Sequence, residues 1–183
     1  MVGVEANPCL AARINESGSA QCFNLAISAH KGPVRFFIDP RNSEASSLTA
    51  ADKSSLRPVE VDGIPFAEFY AAQPAKEVDL LKIDIEGAEI ELFDSVEPSF
   101  FAHTKQICVE FHSFLHPEHL RAIRRIIARM QADGFHYCDF STKYVDVLFL
   151  NGKLEHISKV DEAQIFVHKY MTGAKRRFRS FSA

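Results

Sequence analysis

No run of about 18 apolar residues occurs anywhere in the chain, so no transmembrane helix is expected. The opening Met1-Val2-Gly3-Val4-Glu5 lacks the basic start and long apolar stretch of a signal peptide. Cysteine is sparse. Cys9, Cys22, Cys108 and Cys138 form no C-x-x-C pair, and no close cysteine or histidine pair stands at zinc spacing, so zinc is not expected. Three of the four thiols sit in apolar, strand-like stretches and read as buried and reduced, which suits a cytoplasmic protein. There is no G-x-G-x-x-G, which sets aside a nicotinamide-dependent enzyme. Internal repeats and low-complexity linkers are also lacking. Neither sign of charge dominates: 24 acidic residues stand against 21 Lys+Arg, a net charge of −3. That balance argues neither for nucleic acid nor for a membrane surface as a partner.

What the chain does have is the size of one domain, 183 residues, enough to bury a sizeable core. Strand and helix signals alternate, which predicts an α/β fold with parallel strands. Val2–Glu5 reads as a short strand, and Asn7-Pro8 as the turn that opens a helix to about Glu16, ended by Ser17-Gly18-Ser19. Gln21–Ile27 and Val34–Ile38 read as strands, Asp39–Ser55 as a long polar loop, Val59–Val61 as a brief strand and Pro65–Ala72 as a brief helix. Val78–Ile85 is the strongest strand signal, a near-continuous apolar run expected to be covered on both faces. A helix from Ala88 to about Val96, a strand at Gln106–His112 and a helix at Pro117–Asp133 with Gly134 as its stop follow. Phe135–Phe140 and Tyr144–Leu150 read as two further strands, and Gln164–Tyr170 as one more short element. On the Pro117–Asp133 helix, Arg121, Arg124, Arg125 and Arg129 take the side opposite the apolar one; a solvated face is the plainer reading, contact with an anionic acceptor or a nucleic acid the other.

Chemistry concentrates at strand ends. In Asp79–Glu89 an apolar strand gives way to Asp84 and Glu86, two residues apart and so on one face, then to Gly87 and a helix. Ligands in open α/β sheets bind beyond the carboxyl ends of the strands, and Gly87 lets the backbone turn sharply or approach a ligand. The alternative is a solvated strand end, where acids simply meet water. Ile107–His112 repeats the layout with Glu110 and His112. If the two strands are neighbours, Asp84, Glu86, Glu110 and His112 converge into a cluster able to position a hydroxyl and accept its proton; the alternative is an ion pair between strand tips. Glu5 ends the first strand, where an acid can hold the two ribose hydroxyls of a nucleoside, or can simply stand at a helix start.

Taken in order, V-G-V-E-A-N-P, N-L-A-I-S at Asn24–Ser28, A-S-S-L at Ala45–Leu48, D-L-L-K-I-D-I-E-G-A-E at Asp79–Glu89 and V-E-F-H at Val109–His112 resemble the FkbM-type methyltransferases. The resemblance runs from Val2 to about Leu150. It implies a Rossmann-like, mostly parallel sheet with helices on both faces, S-adenosylmethionine as methyl donor, and O-methylation of a sugar, glycan or other small molecule. It places Glu5 on the ribose hydroxyls, with Ala26, Ile27 and Ser28 beside the adenine. Asp84 would face the methionine end or the acceptor, with Glu86 near it, and Glu110 and His112 would line the acceptor side. Which of these is the base stays open. Residues 1–172 are expected to form the domain and 173–183 a basic, mobile tail.

Family members normally carry a further strand and a glycine-rich turn before the acid that Glu5 matches. Here that strand is expected to be missing, which would leave two strands unpaired and expose apolar surface. Unless something restores it, little or no activity and a tendency to aggregate or form a homodimer are expected. Two rivals remain: a hydrolase that binds a divalent metal through Asp84, Glu86, Glu110 and His112, and a non-catalytic interaction module. A metal is not predicted, although some methyltransferases use one to hold a diol. The acceptor would be chosen by loops, here Asp39–Ser55 and Ser113–Glu118, whose shape no motif records.

Overall fold

Asn7 sets the direction of the first connection: its side chain accepts a hydrogen bond from the Cys9 N–H at 3.0 Å and caps the helix that Pro8 begins. The computed structural model describes residues 1–38, 56–75, 77–112, 119–141, 144–155 and 158. β1 (Val2–Val4) is followed by α1 (Pro8–Ser17), which ends where Gly18 takes a φ of 67°. Then come β2 (Gln21–Phe23), β3 (Ala26–Ile27), β4 (Gly32–Ile38), β5 (Arg57–Ile64) and α2 (Phe66–Ala71). β6 (Val78–Ile83), α3 (Glu89–Ser95), a 3-10 turn at Pro98–Phe101, β7 (Thr104–Glu110), α4 (Leu120–Ala132), β8 (Phe135–Asp139) and β9 (Asp146–Asn151) complete the order. The expected features at Asp39–Ser55, Ser113–Glu118, Gln164–Tyr170 and 173–183 lie outside the described residues.

The mixed character of the sheets departs from expectation. Instead of one mostly parallel sheet, the described residues form three, ordered β1-β2, β3-β5-β4 and β6-β7-β9-β8. β1–β2, β3–β5 and β6–β7 are parallel pairs, whereas β4–β5, β7–β9 and β8–β9 are antiparallel. The reason is local in one case: β8 ends at Asp139 and β9 begins at Asp146, a connection too short for the crossover that parallel strands need. The single strand expected over Gln21–Ile27 is two, because the chain changes sheet at Asn24-Leu25, where Asn24 donates to the carbonyls of Glu5 and Ala6. Gly63 in β5 leaves room for Ser28 and Val34, which a side chain there would strike.

The main core lies on one face of the four-stranded sheet. Ile83, Ile107, Val109, Val147 and Phe149 meet Leu92 and Phe93 of α3 and Ile123, Ile126, Ile127 and Met130 of α4. That apolar stripe on α4 is the one its spacing predicts. The opposite face carries Leu80, Lys82, Gln106, Cys108 and Leu148, none of them fully buried. The expected double coverage of Val78–Ile85 is therefore wrong: Leu80 is 58% exposed, and only alternate residues of β6 face the core. Among the described residues, helices do not cover both faces of this sheet as expected. Among the described residues β1 pairs only with β2 and β6 only with β7, so each has an unpaired edge. All four thiols are free, but only Cys22 is buried. Three of the four arginines on α4 are not simply solvated: Arg124 donates to the Tyr144 hydroxyl at 3.4 Å, Arg125 bonds Asp94 of α3 at 2.6 Å, and Arg129 reaches the Val96 carbonyl at 3.0 Å. No described helix is long and apolar enough to cross a membrane.

Candidate active site

β6 and β7 run parallel with Lys82 beside Cys108 and Ile83 beside Val109, so their carboxyl ends finish side by side. Asp84 and Glu110 emerge there on one face, as period-two alternation requires. Lys82 lies between them, its ammonium 2.8 Å from Asp84 Oδ2 and 3.7 Å from Glu110 Oε2. Burial lowers the Lys82 pKa, but the hydrogen bond and charge of Asp84, with Glu110, outweigh it and hold the group above its ordinary value.

After Asp84 the backbone turns tightly. Glu86 has a φ of 53° and Gly87 one of 107°; the left-handed region suits Gly87 but is uncommon for a glutamate. This turn brings Glu86 Oε2 to 3.2 Å from Nε2 of His112, with Asp84 Oδ1 at 4.0 Å from the same nitrogen. The other ring nitrogen, Nδ1, is 2.9 Å from Oε1 of Glu89, the first residue of α3. His112 thus stands between carboxylates. Burial lowers its pKa, but the hydrogen bonds and charges of Glu86 and Glu89 prevail and push it up to about 10. At neutral pH it is an imidazolium: a donor at both nitrogens, and no acceptor of a proton.

The charge on His112 fixes a pH dependence. A raised folded pKa stabilises fully below the ordinary value of 6.5, and the contribution is lost as pH climbs toward about 10. Unfolding midpoints measured by calorimetry between those limits are expected to fall more steeply for the protein than for His112→Gln. Parallel slopes would contradict the assignment.

Glu5 lies within reach of the charges of Asp84 and Glu86. It follows β1, its Oε1 accepts the Asn7 N–H at 2.7 Å, and it is half-buried. Burial raises its pKa most; the Asn7 hydrogen bond lowers it, and the charges of Asp84 and Glu86 raise it again, a net increase. Glu5 thus bonds the turn that opens α1 and also feels the charges of Asp84 and Glu86. β1 belongs to a different sheet from β6 and β7, yet Glu5 lies near enough to Asp84 and Glu86 for their charges to act on it.

The adenine residues expected from the resemblance divide. Ile27 and Ser28 line a cavity of about 280 Å³, with Phe66 of α2 and Ala88, Leu92 and Asp94 at α3. Ala26 is 3% exposed and packs with Phe36 and Val61 inside the three-stranded sheet, so it supports that wall from behind. Asp84, Glu86 and His112 each offer a ligand atom, all within 4.8 Å of one another, close enough for a divalent ion. Binding such an ion would require the His112 nitrogen to give up its proton. Glu110 is not in that group; its charge is turned to Lys82.

Two contributors escape a sequence reading. Lys82 looks like one polar residue in an apolar strand. Glu89 looks like an ordinary helix-start acid, and only its burial, 2% exposed, marks it out.

The family model described as Methyltransferase FkbM domain matches residues 1–137. No curated protein and no solved structure matches the chain.

Proposed function

The chain belongs to the FkbM methyltransferase domain family, and on that premise we propose that it moves a methyl group from S-adenosylmethionine to a hydroxyl oxygen of a sugar or other small molecule. The observation that carries this reading is the gathering of Asp84, Glu86, Glu110 and His112 at the adjacent ends of β6 and β7, with Glu5 near enough for the charges of Asp84 and Glu86 to act on it and a cavity lined by Ile27 and Ser28 in the same molecule. The acids suit a cationic nucleoside. Glu5 would hold the ribose hydroxyls, Ile27 and Ser28 would border the adenine, and Asp84 would face the charged end.

When bound, S-adenosylmethionine supplies a methyl group already activated on a sulfonium, so the protein must align the acceptor and take one proton. His112 does not take that proton at neutral pH, because it already holds two. Its Nε2–H instead holds Glu86, and the proton goes to a carboxylate of Asp84, Glu86 or Glu110. Lys82 keeps Asp84 and Glu110 from repelling each other and leaves each carboxylate a second oxygen.

The test is transfer of labelled methyl from S-adenosylmethionine to a panel of sugars and hydroxylated small molecules by the full-length protein. Label is expected on oxygen of at least one acceptor. Release of hydrolysis products in a chelator-sensitive reaction, with no label transferred, would favour the metal-dependent hydrolase.

A further inference from the structure

One oxygen atom links the whole turn. Oε1 of Glu89 accepts the N–H of Ile85 at 3.2 Å, the N–H of Gly87 at 3.1 Å and faces Nδ1 of His112 at 2.9 Å. The two backbone donors flank Glu86, the residue held at positive φ. A carboxylate only 2% exposed would ordinarily be costly, and three donors on one oxygen are what offset that cost. These three contacts reach back from α3 to the turn before it, and the N-cap of α3, Ala88, makes no side-chain bond.

We propose that Glu89 is the positioning residue of this site, fixing the backbone on either side of Glu86 and, through Nδ1 of His112, the imidazole that holds the Glu86 carboxylate beside Asp84. The consequence is directional. Because Nδ1 faces Glu89, Nε2 is the nitrogen that points to Glu86 at 3.2 Å and toward Asp84 at 4.0 Å. Glu86 is thereby held from its backbone and from its side chain by a single buried group. The acids that take the acceptor's proton then stay in place without support from the acceptor itself, which is the preorganisation that methyl transfer requires. This inference rests on the methyltransferase reading for its kinetic part, but the link between Glu89 and His112 does not.

Glu89→Gln keeps an oxygen for the backbone donors and removes the charge. In the full-length protein it is expected to lower kcat about 10- to 100-fold, a loss of the size that misplacing reacting groups produces. The affinity for S-adenosylmethionine should stay within about threefold, because Glu5, Ile27 and Ser28 are untouched. His112→Gln should give the same split, and the double variant should lose no more than either single one, as expected for residues that act as a unit. A nitrogen-15 spectrum supplies a readout independent of activity: the Nδ1–H resonance of His112 should move in Glu89→Gln and keep its place in Glu110→Gln. Additive losses of kcat, or an unmoved His112 resonance, overturn the proposal. Should Glu89→Gln fail to fold, an unchanged kcat in His112→Gln does so instead. Absence of methyl transfer in the unmodified protein, with the resonance shift present, would sink the methyltransferase reading while leaving the positioning role intact.

Discussion

Asp84→Asn is expected to lower kcat/KM for methyl transfer by about 10²- to 10⁴-fold, the range for losing a group that handles a proton or developing charge at the reacting atoms. The substitution conserves shape. Asp84 offers Oδ2 to Lys82 at 2.8 Å and keeps Oδ1 toward the turn, 4.0 Å from Nε2 of His112. Asparagine can still place an oxygen near Lys82, but it neither balances a sulfonium nor accepts a proton at neutral pH. The cost to the fold should be small. The Asp84 side chain is 36% exposed, and solvated ion pairs of this kind contribute about 0–1 kcal/mol. Circular dichroism and the unfolding midpoint should therefore match the unmodified protein. A kcat/KM within threefold of that protein would remove Asp84 from the reaction.

Glu5→Gln is expected to weaken S-adenosylmethionine binding by about 10- to 100-fold, equivalent to losing one hydrogen bond to a charged group, about 1.5–3 kcal/mol. Gln is the better replacement than Ala, because its oxygen can still accept the Asn7 N–H that Glu5 takes at 2.7 Å, and the N-terminal turn of α1 survives. What goes is the charge and one of two acceptors for a ribose diol. Relief of the crowding among Glu5, Asp84 and Glu86 works in the opposite direction and limits the loss. Titration calorimetry on the full-length protein reads the affinity directly. An unchanged value would place the nucleoside elsewhere, and the cavity at Ile27 and Ser28 would then have to be accounted for without it.

Much of this site is legible in the letters because polar residues at the end of an apolar run have few structural reasons to be there. Asp84, Glu86, Glu110 and His112 stand out on that ground, and the parallel pairing of β6 with β7 brings them together. Glu89 does not stand out, since an acid in the first turn of a helix is common and its contacts arise only once Glu86 adopts a positive φ. Nor is the protonation of His112 readable: it depends on two glutamates, one of them buried, that lie 23 and 26 positions earlier in the chain.

The fold shows the same division. Helices with a clear apolar stripe, α4 above all, fall where the spacing puts them. The apolar run at β6 misleads because Leu80 is apolar yet faces outward, and composition alone cannot tell a strand covered on two faces from one covered on one. Antiparallel partners such as β7–β9 depend on contacts distant in sequence, to which alternation of elements is blind. The division of Gln21–Ile27 turns on Asn24, whose side chain bonds the backbone after β1 instead of continuing a strand.

The account depends on carboxylates at neighbouring strand ends enclosing a positively charged nucleoside. Calorimetric titration of S-adenosylmethionine, and separately of the uncharged thioether S-adenosylhomocysteine, into the full-length protein at neutral pH tests this most directly. Saturable one-to-one binding of both is predicted, tighter for the sulfonium and weakened for both by Glu5→Gln. No heat from either ligand, or binding of both that ignores Glu5, would contradict it.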